Sequence, residues 1–217
     1  MLFVIGEYNK KEGVHDKGQF NVKALEIIIH ENYGANNGIS NDICLVRVEN
    51  MNDKKPDACK GCYQPICLPM QGEHISPGKH CWVAGWGNTT PGSTTGSNKL
   101  RDIGINVMST NYCRKTSLIG EDDSGSFLVQ DDVEFCAGIP DRDGNGLTDA
   151  GKGVCAGDGG SPLVCVVNEK AYLTGMVSWS FGCGTEGNPT VFTKISAFQE
   201  WIWNNMNGPS TDDTPIA

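Results

Sequence analysis

No run of this sequence stays apolar over the roughly 20 residues that a membrane-spanning helix needs. Positive charge is also scarce. Seventeen Lys and Arg stand against 26 Asp and Glu, for a net charge of −9. Polyanions repel such a surface, so nucleic acid and anionic membranes are excluded as partners. The opening "MLFVIG" has no basic stretch before it and is too short for the apolar region of a secretory signal. Only one C-x-x-C occurs, at Cys59 to Cys62, and no second pair completes four zinc ligands. Histidine is limited to four residues, which leaves few candidates for a general base.

Cysteine and glycine are abundant. Ten cysteines in 217 residues predict a disulfide framework formed in an oxidising compartment. Asn88-Thr89-Thr90 is a glycosylation sequon, which agrees with secretion. A secreted chain without a visible signal is expected to have lost its true N-terminus. The 28 glycines punctuate many short apolar runs. "LFVIGEY", "FNVKALEIII", "DICLVRV", "KHCWVAGWG", "LRDIGINVMS", "SPLVCVV", "AYLTGMVSW" and "TVFTKI" all read as strands. One helix closes the pattern. Ile195, Phe198, Ile202 and Met206 recur at helical spacing in "ISAFQEWIWNNM". The fold class is therefore all-β, with one terminal helix.

"CAGDGGSPLVC", Cys155 to Cys165, gives the class a sharper form. It resembles the nucleophile loop of chymotrypsin- and trypsin-like serine proteases, usually worded C-x-G-D-S-G-G-P-L-V-C. "SNDICLVRV", "PICLP", "CWVAGWG", "NYC", "FCAG", "VSWSFGC" and "VFTKISAFQEWI" resemble further segments of that family, in unbroken order to about residue 207. The resemblance implies a chymotrypsin-like double antiparallel β-barrel with a C-terminal α-helix. It divides the chain into a remnant of the first barrel (1–50), a linker (51–78), a second barrel (79–195), the helix (196–207) and a disordered tail (208–217). It also implies disulfides Cys81–Cys165, Cys113–Cys136 and Cys155–Cys183. Cys44, Cys59, Cys62 and Cys67 stay unassigned. The family's A-A-H-C histidine segment and I-V-G-G-like start have no counterpart here. The first barrel is thus expected to be incomplete, and the chain to be a fragment or truncated gene product, unstable in its first half.

Acyl transfer on this template needs a nucleophile, a general-base histidine, an orienting aspartate and backbone oxyanion donors. Asp42 matches the aspartate. His15, His30, His74 and His80 all lie outside the histidine's context and read as surface residues. Gly159 stands where the serine belongs, and glycine has nothing to attack with. Ser161, two residues on, is the alternative nucleophile. Residues two apart in an extended chain are separated by roughly 6–7 Å, whereas productive attack requires about 3–3.5 Å. Ser161 therefore reads as a packing residue. Gly157 and Gly159 supply backbone N–H groups to an oxyanion loop. Asp158 resembles the aspartate that pairs with a new N-terminal amine after activation. Without that partner its burial is costly, so the loop is expected to be unformed. In the specificity pocket Gly153 replaces a cation-selecting aspartate. Ser180 and Thr190 replace wall glycines, and Trp179 is retained.

Between Cys136 and Cys155, "DRDGNGLTD" resembles a calcium loop. Asp141, Asp143, Asn145, Leu147 and Asp149 fall at ligand spacing, and Gly146 marks the sharp turn. The segment from Glu7 to Asp16 matches the family's other calcium loop more weakly. The expectation is a secreted, non-catalytic serine-protease homologue. It needs no cofactor, with calcium as a candidate ligand of the long loop. It binds proteins or peptides, active proteases or their substrates among them. The alternative is an active serine endopeptidase that uses Ser161.

Overall fold

A computed structural model of the chain describes residues 1–35, 39–115, 129–142, 144 and 148–207. Three strands form an open antiparallel sheet in the order β1 (Leu2–Ile5), β2 (Phe20–Ile29) and β3 (Cys44–Val48). Six more close into a barrel: β4 (His80–Gly85), β5 (Arg101–Val107), β6 (Glu134–Gly138), β7 (Pro162–Val167), β8 (Lys170–Trp179) and β9 (Thr190–Lys194). Their spatial order is β4-β5-β6-β9-β8-β7, and the pairing of β4 with β7 closes the ring. Among the described residues are the short helices α1 (Met51–Lys54) and α2 (Thr110–Lys115). A 3₁₀ turn at Ile195–Ala197 leads into α3 (Gln199–Asn207).

The barrel follows from alternation. On β4, Cys81 and Val83 point inward while His80 and Trp82 face out, as the two-residue period of a strand requires. Ile105, Val107, Ala137, Leu163, Val177 and Phe192 complete the interior. Each fully buried apolar side chain there stabilises the fold by about 1.5–3 kcal/mol. β7 and β8 join through Asn168 and Glu169, both at positive φ (47° and 64°). That geometry marks the two-residue turn whose twist matches the strands. A second cluster seats Ile43 beside Ile195, Phe198 and Ile202, so the terminal helix fixes the segment that carries Asp42.

Several expectations change. Met206 was expected on the buried helix face but is 62% exposed, because α3 rests on the protein through its first turns only. "EFCAG" forms a strand, and α2 forms beside it; neither stood out in the sequence. Leu2, Leu25, Ile27 and Ile29 of the open sheet are each close to half exposed or more. Cys59 and Cys62 are disulfide-bonded to each other, which occupies the thiols of the C-x-x-C. Cys81–Cys165, Cys113–Cys136 and Cys155–Cys183 also form. Cys44 and Cys67 are free and exposed.

Candidate functional site

Asp42 sits just before β3, where β8 and β9 meet it. Its Oδ2 accepts a hydrogen bond from Ser178 Oγ at 2.8 Å. Its backbone carbonyl accepts one from Thr193 Oγ1, also at 2.8 Å. Among the described residues no histidine bonds to it. His30 packs between Phe198 and Trp201, and His80 contacts Asn106 and Trp82. His15 and His74 are exposed. Ser178 and Thr193 were not singled out from the sequence. Their hydroxyls meet Asp42 only through sequence separations of 136 and 151 residues.

The loop from Cys155 to Ser161 is well formed, which corrects the expectation for Asp158. Its carboxylate is held by backbone N–H groups. Gly87 N donates to Oδ1 at 2.7 Å and Cys155 N donates to Oδ2 at 3.0 Å. These two backbone donors hold one oxygen each. Close approach explains two glycines. A Cβ on Gly87 would lie 2.5 and 2.6 Å from the carboxylate oxygens, and one on Gly85 would overlap Oδ1. Gly157 and Gly160 adopt φ of 93° and 80°, a region that favours glycine.

Gly159 is exposed, and a Cβ there would meet nothing within 4 Å. The position is thus open but carries no side chain. Ser161 is pinned differently. Its N–H donates to Asp158 O at 2.9 Å, and its carbonyl accepts from Val177 N at 2.9 Å. Its hydroxyl lies over Gly85 of β4, where a Cβ would come within 2.8 Å of it. Asp42 and Ser161 share no hydrogen bond among the described residues.

The pocket bounded by Gly153, Ser180 and Thr190 encloses only about 10 Å³. That is the threshold for one water and too small for an amino-acid side chain. Its walls touch, since a Cβ on Gly153 would lie 2.7 Å from Gly184 Cα. Gly153→Asp is accordingly expected to yield no binding of an arginine-like amidine by calorimetry. It should also lower stability by about 1–3 kcal/mol, the usual cost of overpacking. A broader, open groove of about 960 Å³ borders the same loop and is lined by Gly85, Gly87, Arg101, Lys152 and Asp158 among others.

Trp179 is half-buried at the end of β8, in edge contact with Phe181 at 5.8 Å between centroids. Its indole N–H donates to Glu134 Oε1 at 3.2 Å. Glu134 is only 2% exposed. Burial pushes its carboxyl up from the ordinary value. The signal for it in the sequence was a charged residue opening an otherwise apolar strand, "EFCAG".

In the calcium-like loop, Asp143, Asn145, Gly146 and Leu147 lie outside the described residues. Asp141 Oδ1 accepts from Gly144 N at 2.7 Å, and Asp149 Oδ1 accepts from Arg142 N at 3.1 Å. In the weaker loop Asp16 Oδ2 accepts from the N–H groups of Tyr8 and Asn9, both at 2.6 Å. No group of three or more metal-type ligands assembles among the described residues.

Comparison with known proteins agrees with this architecture. The family model described as Trypsin matches residues 1–202. Trypsin-1 of Salmo salar is 34% identical over 203 residues, covering 93% of this chain and 70% of that protein. Transmembrane protease serine 5 of Homo sapiens is 34% identical over 179 residues, 81% of this chain but 34% of that protein. Hepatocyte growth factor activator serine protease of Mus musculus is 32% identical over 180 residues, 82% of this chain and 25% of its own length. With its closed six-stranded barrel, its Asp42–Ser178 contact and its G-D-x-G loop, the chain belongs to the trypsin family of serine-protease domains.

Proposed function

We propose that this trypsin-family domain is a non-catalytic homologue that works outside the cell by binding proteins or peptides. The observation that carries the reading is the nucleophile loop. Gly159 occupies the open position, and the nearest hydroxyl, on Ser161, is packed over Gly85 instead. Removing a single member of such a catalytic constellation costs orders of magnitude in rate, and here the nucleophile position carries glycine. The narrow cavity beside Gly153, about 10 Å³, supports the same reading. Four disulfides, which form and persist in oxidising compartments, support an extracellular setting. Partners are then protein ligands of a proteolytic system, active proteases or their substrates.

Hydrolysis of a fluorogenic peptide library tests the reading. The expected rate is that of buffer alone, and Ser161→Ala leaves it unchanged. Turnover that disappears with Ser161→Ala would favour the alternative, an endopeptidase with a displaced nucleophile.

A further inference from the structure

Glu134 is the only carboxylate among the described buried residues. It opens β6 and ties two elements together. Oε2 accepts from Gln130 N at 2.9 Å, which closes the turn before the strand. Oε1 reaches across to β8 and accepts from the Trp179 indole N–H at 3.2 Å. The indole packs against the cluster of Cys113, Val129, Cys136 and Val191, and touches the half-exposed Phe181. The pairing of β8 with β9 ends at Trp179, opposite Val191. The Glu134 contact is therefore a polar tie on an aromatic side chain that stands where the barrel opens to solvent.

The charged groups around this carboxyl are mostly acidic. Asp132 faces it from its own turn, and Asp42 faces it from the segment before β3. The neighbouring cations are drawn elsewhere. Arg114 of α2 pairs with Asp131, and Lys194 of β9 donates through Nζ to the Asp131 carbonyl at 2.8 Å. Opposite Glu134 on β9 stands the uncharged Thr193. Among the described residues the carboxyl thus has two N–H donors and forms no ion pair. In its ionised form it bonds more strongly to the indole, because charge-assisted hydrogen bonds are about twice as strong as neutral ones. In its protonated form it is better suited to burial.

We propose that Glu134 is a proton-operated positioning residue for Trp179: ionised, it clamps the indole to the turn at 130–134, and protonation loosens that clamp. A consequence for ligand binding at the Trp179–Phe181 surface rests on the binding function proposed above; the clamp itself does not. Stability runs the opposite way from the clamp. The folded protein holds this proton more tightly than the unfolded chain does, so the contribution is fully present below the ordinary value of 4.5. It is lost as pH rises through the folded-state midpoint. The stability of wild type relative to Glu134→Gln should accordingly decline as pH rises.

The direct test follows the Trp179 indole N–H resonance by NMR across pH, assigned with Trp179→Phe. The expected result is a titration with its midpoint above 4.5 that Glu134→Gln abolishes. A flat resonance, a midpoint at the ordinary glutamate value, or a titration that survives Glu134→Gln would overturn the proposal. Should Glu134→Gln fail to fold, the carboxyl ¹³C signal of Glu134 serves in its place. Trp179→Phe removes a donor that favours the ionised form, so that midpoint should rise. No rise contradicts the clamp. Neither measurement includes a ligand, so a failed clamp and a failed binding function remain distinguishable.

Discussion

Gly87→Ala is expected to destabilise the protein by about 3 kcal/mol or more. The new Cβ would sit 2.5 and 2.6 Å from the two oxygens of Asp158. Those are not positions that a short, tethered carboxylate can share, so Asp158 must leave. In leaving it loses the N–H groups of Gly87 and Cys155. Hydrogen bonds to a charged group stabilise by about 1.5–3 kcal/mol each. Gly87 has no positive φ, so alanine is otherwise compatible with its backbone. A double-mutant cycle isolates the effect. In an Asp158→Ala background Gly87→Ala should cost well under half as much in urea denaturation. Equal costs in the two backgrounds would show that the glycine is required for another reason.

Removal of the Cys155–Cys183 bridge should have a comparable effect. The bridge joins the nucleophile loop to the segment before Gly184, across a sequence separation of 28 residues. Closing a loop of that length restricts the unfolded chain by about 3–4 kcal/mol in the chain-entropy description. Cys155 also donates its N–H to Asp158, and Gly184 abuts Gly153. The loss should therefore concentrate at the site. In Cys155→Ala/Cys183→Ala, thermal unfolding is expected at a markedly lower temperature, with amide exchange rising first at residues 151–161. A uniform rise over the whole barrel would contradict a local role for the bridge.

Much of the β structure was legible from short apolar runs. β4 carries the run Cys81 to Ala84, and in the open sheet β2 joins alternation over Phe20–Lys23 to an apolar run at Ile27–Ile29. β6 was harder to see: its five residues include the buried Glu134, whose partners come from a turn and from β8. The loop from Cys155 to Cys165 could be aligned by its wording, and the glycine at 159 was visible at once. Its state was not. The sequence shows an acid whose expected partner is absent. It does not show that Gly87, 71 residues away, turns its N–H toward that acid. Backbone donors carry no residue-type signature. The same limit hid Ser178 and Thr193, since serine and threonine at strand positions have many uses. Cys59–Cys62 stayed open for a related reason: spacing permits the bridge, and only the packing of Cys59 beside Phe20 and Val22 selects it.

The narrow cavity beside Gly153 and the placement of Ser161 over Gly85 bear on one question, whether a hydroxyl in this loop can be activated. Ser161 is the only serine or threonine between Cys155 and Cys165. Its hydroxyl lies beside Gly85, and the recorded side-chain partner of Asp42 is Ser178. No described arrangement lowers the energy of an attacking oxygen there. The most direct measurement is the intact mass of the natural protein before and after treatment with a fluorophosphonate, with and without prior trypsin cleavage. The predicted result is an unchanged mass in both cases, from a folded chain. A single adduct mapped to Ser161 would contradict it and make this an active serine peptidase.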